Sequence, residues 1–180
     1  MVRVRAGGSA DIDDAVAVWR AADTARRGGE AVPDEHECRV RRNLRKQDAF
    51  LLLTHEGGEL VGMSVGLQAL ADDGAGPPIR GRCHISMVFV APDRWGVGIG
   101  GAVVDAALSE ARDRGYDAAQ LWTHADNSRA QRLYERRGFR RSGREKDDDL
   151  GSASCTTSER CELDFESARL RLADGPPPPN

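Results

Sequence analysis

Four glycines crowd the end of the segment Val88-Phe89-Val90-Ala91-Pro92-Asp93-Arg94-Trp95-Gly96-Val97-Gly98-Ile99-Gly100-Gly101. An apolar run leads into them and an amphipathic run follows, so the order is strand, glycine-rich turn, helix. Glycine lets the backbone approach a ligand closely. The first N–H groups of a helix have no intrahelical acceptor and lie at the positive end of its dipole. That combination suits an anion, above all a phosphate. A close-packed strand–helix turn would account for one glycine; Gly96, Gly98, Gly100 and Gly101 together favour phosphate binding.

Gly96, Gly98 and Gly101 also satisfy G-x-G-x-x-G, the dinucleotide fingerprint, which would make the chain an NAD(P)-dependent oxidoreductase. In that fingerprint the strand runs almost straight into the first glycine, whereas Ala91–Trp95, with a proline, intervene here. About eighty residues remain after the motif, too few for a second domain to handle a redox substrate. A second block lies downstream: Asn127-Ser128-Arg129-Ala130-Gln131-Arg132-Leu133-Tyr134-Glu135-Arg136-Arg137-Gly138-Phe139 reads as a short helix closed by glycine.

The two blocks, in this order and at this separation, resemble the GNAT superfamily of N-acetyltransferases. The coenzyme A signature of that family is a strand, a V-x-P turn, then Q/R-x-x-G-x-G/A opening a helix. Gly98-Ile99-Gly100 supplies G-x-G, and Trp95 stands where Gln or Arg is usual. The second block resembles the family's N-x-x-A-x-x-L-Y-E-x-x-G-F helix. The resemblance covers about Val2 to Phe165 and is specific from Val88 to Phe139. It implies a single GNAT-like α/β (α+β) domain: a mixed central sheet of about six to seven strands flanked by about four helices, splayed at the cofactor site. It also implies acetyl-CoA as co-substrate, no metal, and direct attack by an amine of a small molecule or peptide in a ternary complex.

Attack of a neutral amine on a thioester passes through a tetrahedral oxyanion and expels a thiolate. It needs a route for the amine proton, an oxyanion donor and a proton for the leaving sulfur. The resemblance implies that the backbone of Val88, Phe89 and Val90 pairs with the pantetheine like an added strand, the Val88 N–H donating to the thioester carbonyl. It implies that Gly96, Val97, Gly98, Ile99, Gly100 and Gly101 hold the pyrophosphate, that Asn127 lies beside the cofactor arm, and that Tyr134 is the general acid. A non-catalytic acyl-CoA-binding or sensor domain on the same fold would keep the glycines and could dispense with Tyr134.

His84 lies fourteen residues before Gly98, where some family members carry a strand glutamate as base. An imidazole with a pKa near ~6.5 can do that work at neutral pH. The other reading of His84 is a strand histidine satisfied by the core. His124 is a second candidate and a water relay a third. Asp72, Asp73 and Asp147–Asp149 fall in loops flanking the acceptor side and read as solvated turn residues. The acceptor itself is expected to contact the variable N-terminal helices and the loop before the final strand.

These groups need elements to hold them. Val2 and Val4 alternate with Arg3 and Arg5, an opening strand. Ser9 and Asp11 offer N-caps to a helix with Ile12, Ala15, Val16 and Trp19 on one face. A second, polar helix is expected from about Pro33, as its first residue, to Arg45. Phe50–Thr54 and Leu60–Leu67 read as strands joined at Glu56-Gly57-Gly58. After a loop over Ala71–Gly81 come a strand from about Arg82 to Val90, a helix over Gly98–Arg114 stopped by Gly115, a strand over Ala118–Thr123 and a helix over Asn127–Arg137. Gly138 closes that helix and Phe139 starts a strand. A polar loop, Lys146–Ser158, precedes a last strand at Cys161–Phe165. The domain is expected over residues 1–166, with a disordered tail over 167–180 that holds four consecutive prolines.

The bulk properties narrow the class. The chain has 180 residues, a net charge of −3 and a pI near 5.8, which leaves no basic footprint for nucleic acid. The apolar runs are strand-sized, so no membrane span is expected, and the first residues lack the apolar core of a secretory signal. Cys38, Cys83, Cys155 and Cys161 form no C-x-x-C pair, and the histidines add no zinc-like spacing. A reduced, cytoplasmic protein is expected, and a homodimer is compatible with all of this.

Overall fold

The structure is a computed structural model, and it describes residues 1–148 and 156–166. In chain order the elements are β1 (Val2–Gly7), α1 (Ile12–Arg26), α2 (Asp34–Leu44), β2 (Phe50–Glu56), β3 (Glu59–Leu70), β4 (Pro78–Val90), α3 (Ile99–Asp113), β5 (Ala118–His124), α4 (Ser128–Glu135), β6 (Arg140–Asp148) and β7 (Thr156–Asp164). Among the described residues the strands build a mixed seven-stranded sheet with four helices, the fold class expected from the sequence. The described residues fall into two units. The first is Met1–Gln68 with His84–Glu110; the second is Ala69–Cys83 with the described residues from Ala111 onward. No described helix is long and apolar enough to cross a membrane.

In the first unit β1, β2 and β3 pair antiparallel, Val4 opposite Thr54 and Leu53 opposite Met63. The β2–β3 reversal is the Gly57-Gly58 pair, at φ +61° and +92°, a left-handed pair that matches the twist of the strands it joins. Leu51, Leu53, Met63, Val65 and Met87 bury one face of this sheet under Ile12, Ala15, Val16 and Trp19 of α1. The helix stripe expected from the sequence is therefore the one that packs.

The register slips between Thr54 and His55. This bulge sets Val61 and Gly62 side by side against α3, where Val61 joins Val90, Ile99 and Val103 in a second cluster. A Cβ at Gly62 would meet the Val103 side chain at 2.9 Å and the Phe89 carbonyl oxygen at 3.2 Å, so only glycine lets helix and sheet come this close.

Several boundaries differ from the sequence expectations. Neither Ser9 nor Asp11 caps α1 through its side chain. The Asp11 carboxylate instead accepts from the Gly8 N–H at 2.8 Å and from the Arg5 guanidinium at 2.6 Å, which hold its pKa down at about 2. Pro33 is the N-cap of α2 rather than its first residue. β4 starts four residues before Arg82, at Pro78. Both ends of the expected polar loop are strand: β6 runs to Asp148 and β7 begins at Thr156. Asp147 and Asp148 thus lie on β6; Asp149, Cys155 and the tail over 167–180 are outside the described residues.

In the second unit β7 lies between β5 and β6, antiparallel to both, with Leu121 opposite Cys161 and Arg141 opposite Cys161 on the other side. Gly138, at φ +88°, ends the helical segment beside Leu163. The Arg112 guanidinium stacks 4.4 Å from the centre of the Phe165 ring.

Candidate active site

β4 delivers the first set of residues. Its side chains alternate across the sheet, with Met87 and Phe89 facing α1's cluster and Val88 and Val90 facing α3's. The same alternation puts His84, half-buried, on the α3 side. After Val90 the Ala91 N–H makes one more bond, to the Val61 carbonyl at 2.9 Å, and Pro92–Arg94 turns in a single 3-10 turn. Arg94 ties that turn to the hairpin through Glu56 at 3.4 Å and Glu59 at 3.1 Å. The Trp95 indole Nε1–H donates to the Val90 carbonyl at 2.8 Å while the ring packs against Val61, Val90, Ile99 and Val103.

The glycine turn follows. Gly96 and Gly98 take φ +84° and +94°, a region that other residues enter only with strain, and a Cβ on either would meet nothing within 4 Å. Among the described residues the N–H groups of Gly96, Val97, Gly98, Ile99 and Gly100 have no acceptor. Gly101 differs: its N–H donates to the Gly98 carbonyl at 3.0 Å, so it contributes small size rather than a free donor. Val97 stands 67% exposed at the tip. The result is an open, anion-seeking rim of backbone donors at the start of α3, which fits a pyrophosphate.

The second unit carries the other set. Asn127 is the N-cap of α4, its Oδ1 accepting from the Ala130 N–H at 3.1 Å, so its side-chain oxygen is committed to the helix. Its own N–H donates to the His124 carbonyl at 3.0 Å. The His124 imidazole is partly exposed, with Nδ1 at 3.5 Å from Ser158 Oγ. Tyr134 is buried and meets Phe139 edge to face, ring centres 5.8 Å apart. Burial, with the Cys161 thiol close by, pushes the Tyr134 phenol far above its ordinary range, so the hydroxyl stays protonated. Burial and Glu159 likewise push Cys161 up to about 11.

The structure thus groups His84, Val88–Val90 and Gly96–Gly101 in one unit and His124, Asn127 and Tyr134 in the other. Sequence reasoning missed three contributors. Trp95 had the signal of a large aromatic inside a glycine turn. Arg94 could have been suspected from the acids at Glu56 and Glu59. Gln131 is buried in α4, and only its i, i+3 spacing to Tyr134 hinted at it.

A strand, a left-handed glycine turn and a helix N-terminus rich in free donors suit a nucleotide pyrophosphate. Comparison with known proteins narrows this: the Acetyltransferase (GNAT) family profile matches residues 15–139. The chain belongs to that family, and the dinucleotide reading of the same glycines falls. Among curated relatives it is 35% identical over 103 residues to a mycothiol acetyltransferase of Propionibacterium freudenreichii, a match covering 54% of this chain and 31% of that protein. A mycothiol acetyltransferase of Thermobispora bispora is 36% identical over 93 residues, covering 52% and 30%. The matches thus span about a third of the curated relatives' length. Among solved structures, the ribosomal-protein-S18-alanine N-acetyltransferase of Escherichia coli superposes with a TM-score of 0.71 at 16% identity, covering 92% of this chain and 94% of that one. The PaiA N-acetyltransferase of Thermoplasma acidophilum, solved in complex with coenzyme A, gives 0.63 at 16% identity, covering 92% and 99%.

Proposed function

We propose that residues 1–166 form an acetyltransferase domain that uses acetyl-CoA to acetylate an amine of a small molecule or peptide. The observation that carries this reading is the rim of N–H groups from Gly96 to Gly100 that have no acceptor among the described residues, within a chain of the GNAT family. Acetyl-CoA supplies the activated acyl group as a thioester, which the amine attacks with loss of the coenzyme A thiol.

The chain's own residues take these parts. The amides of Gly96–Gly100 hold the pyrophosphate, with Gly101 leaving room for it. The backbone of Val88, Phe89 and Val90 lies along the pantetheine, and the Val88 N–H donates to the carbonyl oxygen. Tyr134 Oη holds the proton that passes to the sulfur; the raised pKa keeps it there at neutral pH. Asn127 fixes the start of the helix that carries Tyr134. His84 takes the amine proton, with His124 and water as the alternative routes. The relatives act on different acceptors, as their names state, and leave the acceptor of this chain open within the class of amines.

An amine panel incubated with acetyl-CoA and scored by release of free thiol tests the reading. Peptide N-termini, lysine, polyamines, amino acids and antibiotic amines should be included. Thiol release dependent on one class of amine is the expected result. Tight acetyl-CoA binding with no release from any amine would overturn it and leave a non-catalytic binding domain.

A further inference from the structure

We infer that Gln131 is the positioning residue for Tyr134, acting through a side-chain amide clamp on α4. α4 has only eight residues, too short to be stable by its own hydrogen bonds, so tertiary contacts must hold it. Just two of its residues are buried: Gln131 and Tyr134. They stand one turn apart on the same face, so whatever fixes Gln131 fixes the height and rotation at which Tyr134 presents its hydroxyl.

Gln131 is fixed from three sides. Its Nε2 donates to the carbonyl of His124, the last residue of β5, at 3.2 Å and to that of Ala125, the next residue, at 2.8 Å. Its Oε1 accepts from Arg141 Nη2 at 3.0 Å, at the start of β6. Arg141 is itself braced by Glu135 at 3.3 Å and Glu159 at 3.2 Å. One planar amide therefore ties the helix to two strands. A buried amide with both ends engaged is a stiff link, because breaking either contact strands polar atoms away from water. Among the described residues Tyr134 has no such tie of its own: its packing is the Phe139 edge contact and apolar burial, which resist rotation less than directed hydrogen bonds do.

The inference rests on the proposed role of Tyr134 as acid, and its test separates the two. Gln131→Met keeps length and volume but removes the clamp; Arg141→Gln, at a half-exposed site, leaves the two carbonyl bonds and removes the outer contact together with the bridges to Glu135 and Glu159. With acetyl-CoA and an accepted amine, Gln131→Met should lower kcat roughly tenfold, with KM for acetyl-CoA within about twofold, and Arg141→Gln should give a smaller fall. In a Tyr134→Phe background, Gln131→Met should cost nothing further, since the group it positions is gone. The chain has two tyrosines, Tyr116 and Tyr134, so ring-labelled tyrosine gives two NMR signals. The Tyr134 signal should shift or broaden in both Gln131→Met and Arg141→Gln while Tyr116 stays. Additive losses in the double variant, or an unmoved Tyr134 signal, would overturn the inference. A Tyr134→Phe enzyme at full kcat would instead remove the acid role, whatever the NMR shows.

Discussion

The Trp95 indole donates its Nε1–H to the carbonyl of Val90, five residues back, at 2.8 Å. That bond closes the end of β4 over the turn, so the last strand carbonyl is held by the residue that opens the glycine rim. Trp95→Ala should cost about 2 kcal/mol, from lost packing on Val61, Ile99 and Val103 and an uncovered carbonyl. It should also weaken acetyl-CoA binding although the side chain is not a phosphate ligand. Denaturant melts with and without acetyl-CoA check both halves, and an unchanged midpoint would show the indole to be dispensable.

Acetyl-CoA should raise the melting temperature, while NAD and ATP at equal concentration should not. Binding to the folded state alone stabilises by about 2.7 kcal/mol at a hundredfold excess over Kd. A shift with NAD and none with acetyl-CoA would contradict the assignment of the glycine rim.

Gly98→Val should abolish acetyl-CoA binding by two routes. Gly98 sits at φ +94°, which a β-branched residue adopts only at a cost of about 1–2 kcal/mol, and the new side chain would project into the open space before the rim. The fold should survive, since no neighbour lies within 4 Å of that Cβ. Calorimetric titration of a folded variant decides it; retained affinity would move the pyrophosphate elsewhere.

Tyr134→Phe should lower kcat by roughly ten- to a thousandfold with acetyl-CoA affinity nearly unchanged. Because burial raises the folded pKa above the unfolded value of about 10, no tyrosinate limb should cut activity below about pH 10. The neutral phenol stabilises the fold fully below that pH, and the contribution fades as pH rises toward the folded pKa, a loss the Phe variant should be spared. His84→Ala tests the base: it should remove the acidic limb of the kcat/KM profile, and a persisting limb with the same midpoint would pass the role to His124 or water.

Asp23 is buried at the end of α1 between Arg26 and Arg27, each at 2.8 Å. Burial works to raise its pKa, but the two guanidiniums outweigh it and the net shift is downward. The stabilisation is therefore present above the unfolded value of about 3.9 and is lost as pH falls through the folded one. Asp23→Asn should cost about 2 kcal/mol at pH 7, and the gap to wild type should narrow below about pH 4 in urea melts.

Elements with an apolar period were legible in the sequence: the Ile12–Trp19 stripe of α1, the Gly57-Gly58 hairpin, and α3 after its glycines all stand where their patterns put them. β6 was legible only at its start, where Phe139 was expected to open a strand; its run on to Asp148 was not. Its residues Arg140–Asp148 are almost all polar, and the strand is prolonged because β7 offers backbone partners and opposite charges such as Glu159 to Arg141. Propensity carries no trace of such a partner-made extension. The site divides in the same way. The glycine rim was visible because φ > 0 and close approach require a particular residue type. The polar links were not, because Asn127 as a cap, Trp95 as a strut and Gln131 as a clamp depend on carbonyls brought near only by folding. Trp95, a departure from the family's usual Gln or Arg in the sequence, is in the structure the residue that braces the rim.

Gly62 makes the turn heritable at a distance. A methyl group there would press on Val103 at 2.9 Å and on the Phe89 carbonyl at 3.2 Å, and Val103 belongs to α3, which carries the amides of Ile99 and Gly100 at its head. A mutation at this position would score in a screen as loss of ligand affinity and map, wrongly, to the binding loop. Its natural suppressor lies not in that loop but on the helix above it, where Val103→Ala would relieve the closer of the two contacts.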